Sequence, residues 1–187
     1  TLPDEILEKE VSKIAVYARV SAEHKLRIVK AWKKQGAVVA MTGDGVNDAP
    51  AVKEASIGVS MGITGTDVTK EASDMIITDD NFASIVSAVE EGRGIYDNIK
   101  KSIHYLLSCN TGEIVTMLFA SIFNLPLPLF PIQILWINIA TDGLPALALG
   151  VDSVTPDIMK KPARRSTEQI IDKNLGMLIL FQGSLIA

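Results

Sequence analysis

The residues from Ser102 to Val151 constrain this chain more than any other stretch. Over these fifty residues there is no Lys or Arg, and the acidic residues are Glu113 and Asp142 alone. The run Asn124–Pro131 divides them into two apolar halves, each about as long as the ~20 residues that an α-helix needs to cross a bilayer. We therefore predict an α-helical transmembrane hairpin over residues 102–150. Its length and lack of charge disfavour the alternative, a buried helical hairpin in a soluble protein.

The rest of the chain is polar, and most of its charge precedes the apolar stretch. Of the 18 Lys and Arg residues, 13 lie before Ser102, as do 16 of the 22 Asp and Glu residues. This distribution predicts a soluble part followed by a membrane part. The net charge of −4 and the lack of a basic face rich in aromatic residues give no support for nucleic acid as a partner. The single cysteine, Cys109, excludes an internal disulfide.

Strand and helix patterns alternate in the first 80 residues. The predicted helices are 22–35, 49–55 and 67–73, and the predicted strands are 14–20, 37–41, 57–60 and 75–78. This order is typical of an open α/β sheet with a site at the carboxyl ends of its strands. Because the strands are too few for a complete doubly wound domain, we expect the opening part of the sheet to lie upstream.

A helical pattern begins at Asn81 and meets no proline before Pro126. An unbroken helix of this length would be about 65 Å long at the α-helical rise. Asp79 and Asp80 are candidates to cap its start. The chain thus divides into five predicted parts: a soluble domain (1–80), a stalk helix (81–101), the transmembrane hairpin (102–150), a loop (151–174) and the start of a third transmembrane helix (175–187).

Basic residues on either side of the hairpin predict its orientation. The first cluster is Lys100 and Lys101, and the second is Lys160, Lys161, Arg164 and Arg165. Since basic residues favour the cytoplasmic side of a membrane, we expect the soluble domain and the loop to be cytoplasmic. The prediction is a multi-pass integral membrane protein of the plasma membrane or an endomembrane.

A polar glycine loop directly follows the strand predicted at 37–41. Asp44, Asn47 and Asp48 supply oxygen atoms there, and Mg²⁺ binds through one or two carboxylates together with a phosphate. Lys25, on the preceding helix, could reach the same crevice and neutralise a phosphoryl group. The alternatives are an Asp-Gly turn with a capping acid and a solvated lysine on an amphipathic helix.

Two sets of polar side chains in the predicted hairpin each share one helix face: Asn110 and Glu113 on the first span, and Asn138, Thr141 and Asp142 on the second. An oxygen-rich cage of this kind suits Ca²⁺, and Mn²⁺ would accept it too. Gly143 and Pro145 should loosen the helix and free backbone carbonyls, as at transporter ion sites. The alternative is a polar network that only holds two helices together.

The sequence Thr-Gly-Asp-Gly-Val-Asn-Asp-Ala-Pro at 42–50 resembles the hinge motif of the P-type cation-transporting ATPases. The resemblance extends through residues 18–25, 79–82, 90–93 and 135–146 and so covers essentially the whole chain. The last of these motifs is similar to the calcium-pump branch. The resemblance implies an α/β fold of the haloacid dehalogenase-like, Rossmannoid type, present in part, followed by an α-helical transmembrane hairpin.

The resemblance also implies roles for individual residues. Asp44 would bind Mg²⁺, Asn47 and Asp48 would support the phosphorylated site, and Lys25 would contact phosphate. The five hairpin residues match cation-binding residues on the fifth and sixth membrane helices of calcium pumps. The implied cofactors are ATP and Mg²⁺, and Ca²⁺ is the implied transported cation. The implied partners are the lipid bilayer and the remaining domains of the same pump.

Several alternatives stay open from the sequence. The phosphorylated Asp of an Asp-Lys-Thr-Gly-Thr motif is not among these 187 residues, so we expect them not to hydrolyse ATP alone. The transported ion could be Mn²⁺ or a monovalent cation, and the number of ions and any counter-ion are undetermined. The other functional classes are a membrane-anchored Mg²⁺-dependent phosphatase and a channel or helix-assembly module.

Overall fold

The computed structural model describes residues 2–164 and 168–187. Arg165, which belongs to the second predicted basic cluster, lies outside the described residues. The described chain is mostly helical, with one small parallel sheet. It divides into two compact units, Thr1–Ser87 and Ala88–Ala187.

The sheet of the first unit has three parallel strands in the order β1-β2-β3: β1 Ala40–Gly43, β2 Ile57–Met61 and β3 Met75–Ile77. Gly43 is in register with Ser60, and Met61 with Ile77. The carboxyl ends of all three strands therefore meet at one edge of the sheet. These strands are three of the four that the sequence predicts. β1 begins later than predicted because the residues before Ala40 are extended but do not join the ladder.

Two helices precede the sheet, α1 Asp4–Glu10 and α2 Ala22–Lys34, and two short helices connect its strands, α3 Ala49–Glu54 and α4 Asp67–Ala72. The Ser21 hydroxyl accepts a hydrogen bond from the His24 amide and caps α2, as expected of a serine at this position. The side chains of Leu7, Val11 and Ala31 form a buried cluster between α1 and α2. α2, α3 and α4 are the three helices predicted in this part of the chain.

The strand predicted at residues 14–20 is wrong. This segment is extended in part, but no described strand pairs with it, and Arg19 adopts a left-handed conformation with φ of 53°. Alternating β-branched residues favour a strand only where a neighbouring strand is available. The Tyr17 hydroxyl instead donates to the Val11 carbonyl oxygen at 3.1 Å, and Val16 is exposed.

The long predicted helix is confirmed as α5, Phe82–Ile122. Its 41 residues span about 60 Å, and the helix runs unbroken through Gly92 and Gly94. It ends where Asn124 adopts a left-handed conformation with φ of 49° and the Leu125 amide donates to the Ala120 carbonyl. Such a turn satisfies a carbonyl that the helix leaves unpaired at its end.

The helical elements after α5 lie in the second unit: α6 Pro131–Trp136, a π-helical segment Ile137–Asp142, α7 Gly143–Gly150, a 3₁₀ turn Ile158–Lys160 and α8 Lys173–Ile186. Among the described residues, two helices are long and apolar enough to cross a membrane, Phe82–Ile122 and Pro131–Gly150. The sequence predicts an irregular helix near Gly143 and Pro145. The irregular part is the π segment, which lies just before these two residues. Pro145 sits within α7, and its missing N–H leaves the carbonyl four residues before it without the usual α-helical donor.

The loop after α7 packs closely on α5 within the second unit. Asn98, which is buried, donates to the Asp152 carbonyl at 2.7 Å, and Lys101 pairs with the Asp152 carboxylate at 2.7 Å. A Cβ added to Gly94 would lie 2.4 Å from a methyl carbon of Val154. Glycine at position 94 is thus what allows the loop to approach the helix backbone.

α8 approaches α5 equally closely further along. A Cβ added to Gly183 would lie 2.5 Å from Cβ of Thr111, and one on Gly112 would lie 3.0 Å from the Ile186 side chain. Small residues at facing positions let helix backbones approach in membrane proteins. The second unit is therefore packed through specific glycines.

Candidate functional site

The polar loop after β1 is folded tightly against its own strand. Gly43 ends β1, and a Cβ there would lie 2.7 Å from Cβ of Asp48 and 2.8 Å from a methyl carbon of Val52. The chain then makes one 3₁₀ turn, Val46–Asp48, in which the Asp48 amide donates to the Gly45 carbonyl at 2.8 Å. This turn brings the Asp48 side chain back beneath the end of the strand.

The structure pairs Lys25 with Asp48. The Lys25 Nζ lies 2.7 Å from the Asp48 Oδ1, and Asp48 is only 8% exposed. A carboxylate this buried needs a partner, and Lys25 supplies it from α2. Because an ammonium has three donors, Lys25 keeps donors for a further acceptor. Asp44 and Asn47 are both exposed.

A second loop, residues 62–66, borders this site from the end of β2. The Thr66 amide donates to the Asp44 carbonyl at 2.9 Å. The Thr69 hydroxyl donates to the Gly45 carbonyl at 2.9 Å and lies 2.9 Å from the Thr66 hydroxyl. Thr66 and Thr69 were not anticipated from the sequence. The available signal was the Gly62 and Gly65 loop, which follows the strand next to β1.

The two acidic residues before α5 have different partners. Asp79 accepts hydrogen bonds from the Ser84 hydroxyl at 2.7 Å and from the Asn81 amide at 3.1 Å. Asp80 instead accepts from the backbone of Ile63 and from Thr64. The capping prediction is therefore wrong for both acids. Asn81 caps α5, since its Oδ1 accepts from the Ala83 amide at 3.0 Å, and the Asp80 side chain turns to the loop after β2.

Glu113 and Asn138 meet in the second unit. The Asn138 Nδ2 lies 3.1 Å from Glu113 Oε2 and 3.5 Å from Oε1, and also 3.0 Å from the Ile134 carbonyl oxygen. One residue comes from α5 and the other from the π segment. The structure thus joins the two sets of polar residues, which were predicted to lie on separate helices.

Asp142 ends the π segment and is only 4% exposed. Its Oδ2 atom is buried and has no hydrogen-bond partner among the described residues. Buried polar atoms are nearly always hydrogen-bonded, so an exception needs an explanation such as an ion. Among the residues that the structure describes, no group of three or more His, Cys, Asp or Glu residues is placed to hold a metal ion.

The remaining two predicted ligands are arranged differently. Asn110 lies half-buried on α5, three residues before Glu113, whereas Thr141 is exposed. A π-helical turn carries more residues than an α-helical turn. The π segment therefore does not keep the α-helical face on which Asn138, Thr141 and Asp142 were grouped.

The donor atoms of the soluble loop fit Mg²⁺. The Asp44 carboxylate is exposed at the edge of the sheet, which leaves room for the waters that Mg²⁺ retains when one or two carboxylates bind it. Asp48 is held by Lys25. Asp44 is therefore the carboxylate of this loop that is best able to bind a metal.

Comparisons with known proteins find relatives that align with both units of the chain. Residues 126–187 match the family described as "Cation transporting ATPase, C-terminus". The chain is 59% identical over 185 residues to a calcium-transporting ATPase of Bacillus subtilis, a match that covers 99% of this chain and 21% of the relative. This chain belongs to the P-type cation-transporting ATPases.

More distant organisms contain similar members of this ATPase family. The mouse calcium-transporting ATPase type 2C member 1 is 50% identical over 186 residues, which are 100% of this chain and 20% of the relative. An endoplasmic reticulum-type calcium-transporting ATPase of Arabidopsis thaliana is 50% identical over 182 residues, 97% of this chain and 17% of the relative. The chain spans about one fifth of the length of these relatives.

Among solved structures, the catalytic domain of the CPx-ATPase CopB-B is 35% identical and aligns with 46% of this chain and 33% of its own. The TM-score is 0.38.

Proposed function

We propose that this chain is part of an ATP-driven pump that moves Ca²⁺ across a membrane through an aspartyl-phosphate intermediate. The first unit would form the end of the phosphorylation domain, with a haloacid dehalogenase-like fold present in part. The helices at Phe82–Ile122 and Pro131–Gly150 would cross the bilayer, and α8 would begin a third crossing. The five parts predicted from the sequence would keep their bounds: the soluble domain (1–80), the stalk helix (81–101), the transmembrane hairpin (102–150), the loop (151–174) and the start of the third transmembrane helix (175–187).

One observation carries the proposal. A buried oxygen of the Asp142 carboxylate has no hydrogen-bond partner among the described residues. Asp142 lies four residues along the chain from Asn138, which is hydrogen-bonded to Glu113. Acidic side chains within membrane-spanning segments are costly and mark ion pathways. Ca²⁺ prefers several oxygen ligands in flexible geometry, so Glu113, Asn138 and Asp142, together with Asn110 and Thr141, would supply ligands for it.

The soluble loop would serve phosphoryl transfer. Mg²⁺, when bound, would neutralise negative charge on the phosphoryl group. Asp44 would hold the metal from its exposed position, and Asn47 would contact the phosphorylated site. Asp48 would fix Lys25, whose remaining donors would face phosphate oxygens. Phosphorylation itself would require an aspartate and an ATP-binding domain from other parts of the pump, which are its partners in this proposal.

The orientation of the pump follows from charge. Lys100 and Lys101 precede the first proposed crossing, and Lys160, Lys161 and Arg164 follow the second. Basic residues at both ends of a hairpin favour the cytoplasmic side for both ends. The first unit and the loop after α7 would therefore face the cytoplasm of a multi-pass protein in the plasma membrane or an endomembrane.

The test is cation-dependent phosphorylation of the full-length protein. Wild type should form an acid-stable phosphoenzyme from ATP only when Ca²⁺ is present. Glu113→Gln and Asp142→Asn should each need at least about a hundredfold more Ca²⁺, because each removes one charged ligand. Repeating the titration with Mn²⁺, Na⁺ and K⁺ identifies the transported ion.

Glu91→Gln is the matched control, because Glu91 is an exposed acid on the same helix as Glu113. Its Ca²⁺ dependence should equal that of wild type. If Glu113→Gln and Asp142→Asn phosphorylate with unchanged Ca²⁺ dependence, neither residue is a ligand. Phosphatase activity that requires Mg²⁺ but does not change with Ca²⁺ would favour the membrane-anchored phosphatase instead.

A further inference from the structure

Asp80 occupies a constrained position between β3 and α5. Its backbone is left-handed, with φ of 51°, a conformation that Asp and Asn adopt more readily than most other residues with a side chain. The residue before it, Asp79, is hydrogen-bonded to the first turn of α5 through Ser84. Two adjacent carboxylates are thus used differently, one for the helix and one for the loop after β2.

Asp80 accepts three hydrogen bonds from that loop. The Ile63 amide lies 2.9 Å from Oδ1, and the amide and hydroxyl of Thr64 each lie 2.8 Å from Oδ2. Hydrogen bonds to an ionised acceptor are stronger than neutral ones. The Ile63 amide, followed by the Thr64 groups, holds the pKa of the Asp80 carboxyl at about 2, so this carboxylate stays ionised near neutral pH.

The same loop continues directly to the metal-binding residue proposed above. Thr66 donates its amide to the Asp44 carbonyl, and the fully buried Thr69 donates its hydroxyl to the Gly45 carbonyl. A Cβ on Gly65 would lie 2.0 Å from the Met61 carbonyl oxygen, so the loop turns back closely on the end of β2 there and a side chain would not fit. Its path is fixed by Asp80 at one end and leads to Asp44 at the other.

We propose that Asp80 is a positioning residue for Asp44, acting through residues 63–66. By holding Ile63 and Thr64, Asp80 fixes the peptide that binds the Asp44 carbonyl, and so fixes where the Asp44 carboxylate meets Mg²⁺. The inference rests on the proposed function, in which Asp44 is a Mg²⁺ ligand. It adds that the first turn of α5 and the metal-binding loop are anchored by neighbouring residues.

The test measures the Mg²⁺ requirement of the full-length pump. Phosphoenzyme is formed from inorganic phosphate without Ca²⁺, over a range of Mg²⁺ concentrations. Asp80→Asn keeps the shape of the side chain and removes its charge. It should raise the Mg²⁺ concentration for half-maximal phosphorylation about tenfold, the usual effect of losing a group that orients a metal ligand. The maximal amount of phosphoenzyme should stay the same.

Asp79→Asn is the matched control, because it makes the same chemical change at the next residue without touching the loop. Its Mg²⁺ requirement should change by less than about twofold. Thr64→Val removes only the hydroxyl bond to Asp80 and should raise the requirement about threefold, and Thr64→Ser should restore it. Thr64→Val decides the question if Asp80→Asn does not fold.

Three results would overturn the inference. The first is a folded Asp80→Asn protein with a wild-type Mg²⁺ requirement, and the second is an equal change in Asp79→Asn. The third is a lower maximum with an unchanged requirement, which would mean that Asp80 only stabilises the fold. If wild type is not phosphorylated by inorganic phosphate at any Mg²⁺ concentration, the proposed function itself is wrong.

Discussion

The polar loop of the first unit and the polar residues of the second unit satisfy their charges in different ways. In the first, the buried Asp48 carboxylate has Lys25 at 2.7 Å, and the backbone around Asp44 is held by Thr66 and Thr69. In the second, Glu113 has only the neutral amide of Asn138, and one Asp142 oxygen has no partner among the described residues. No described cation pairs with either acid.

The difference is that the buried carboxylate of the first unit is paired with a cation, whereas the acids of the second unit have no described cation. A buried charge is tolerated when a partner of opposite charge and hydrogen bonds accompany it. Asp48 meets that condition within these residues, whereas Asp142 would meet it only with a ligand from outside them. The first region should therefore lose stability when its charges are removed, and the second should gain it.

The largest effect should come from breaking the complete pair. Lys25→Met leaves the buried Asp48 carboxylate without its cation and should lower the free energy of unfolding of the first unit by about 3 kcal/mol. Amide hydrogen exchange of β1 and β2 in the full-length protein measures this change. Asp48→Asn added to Lys25→Met should recover part of the loss, and a strictly additive double mutant would show that the two residues do not interact.

The packing of the second unit gives the next effect. Gly94→Ala places a methyl group against Val154 and should destabilise the packing of loop 151–164 on α5 by about 1–3 kcal/mol. Gly92→Ala is the matched control, since a Cβ there meets nothing within 4 Å. That change should stabilise the helix by roughly 0.5–1 kcal/mol. Limited proteolysis of the loop compares the two, and equal sensitivity would contradict the close approach at Gly94.

Asp142→Asn should change the stability of the second unit by less than Lys25→Met changes that of the first unit, and in the opposite direction. In Ca²⁺-free buffer, Asp142→Asn removes a buried charge that no described cation pairs with and should raise the stability of the second unit by about 1 kcal/mol. Thermal unfolding of the solubilised pump tests this, with Glu91→Gln as the neutral reference. A loss of stability in Asp142→Asn would mean that the carboxylate already has a stabilising partner.

The smallest effect concerns pH and the first unit alone. The pKa of the Asp80 carboxyl falls from 3.8 to about 2, with the Ile63 amide as its main cause. Because the folded-state pKa is lower, its stabilising contribution is complete above about pH 4 and is lost as the pH falls toward 2. Exchange protection of the Ile63 and Thr64 amides should decrease over that range. Asp80→Asn should abolish this pH dependence.

Much of the architecture could be predicted from local pattern. The helix at Phe82–Ile122 and the three paired strands were predicted because helical periodicity and β-branched runs are local signals. The strand predicted at 14–20 had the same signal but no partner, and pairing is a property of two segments. The π segment was also missed, since Gly143 and Pro145 indicate a weak point without giving its type.

The candidate sites also contain some features that the sequence predicted and others that it did not. Lys25 and Asp48 are 23 residues apart. The sequence predicted that Lys25 could reach the crevice after β1, but it did not predict the pairing with Asp48. Asp80 was taken for a helix cap because it precedes a helix. Its contact with Ile63 and Thr64 depends on the left-handed backbone at Asp80 and on the path of the loop, and neither of these has a signature in the sequence.

The π segment Ile137–Asp142 has a consequence for how this region tolerates insertions and deletions. A π turn closes between residues i and i+5, so it holds one residue more than an α turn. Deleting Ile139 would let the segment return to the α-helical pattern. The residues after it, including Ala146, whose carbonyl accepts from Ser102, could keep their places. Asn138 and Asp142 would then stand three residues apart on an α-helix and would remain neighbours, so one deletion would rotate Asp142 relative to Asn138 without replacing either.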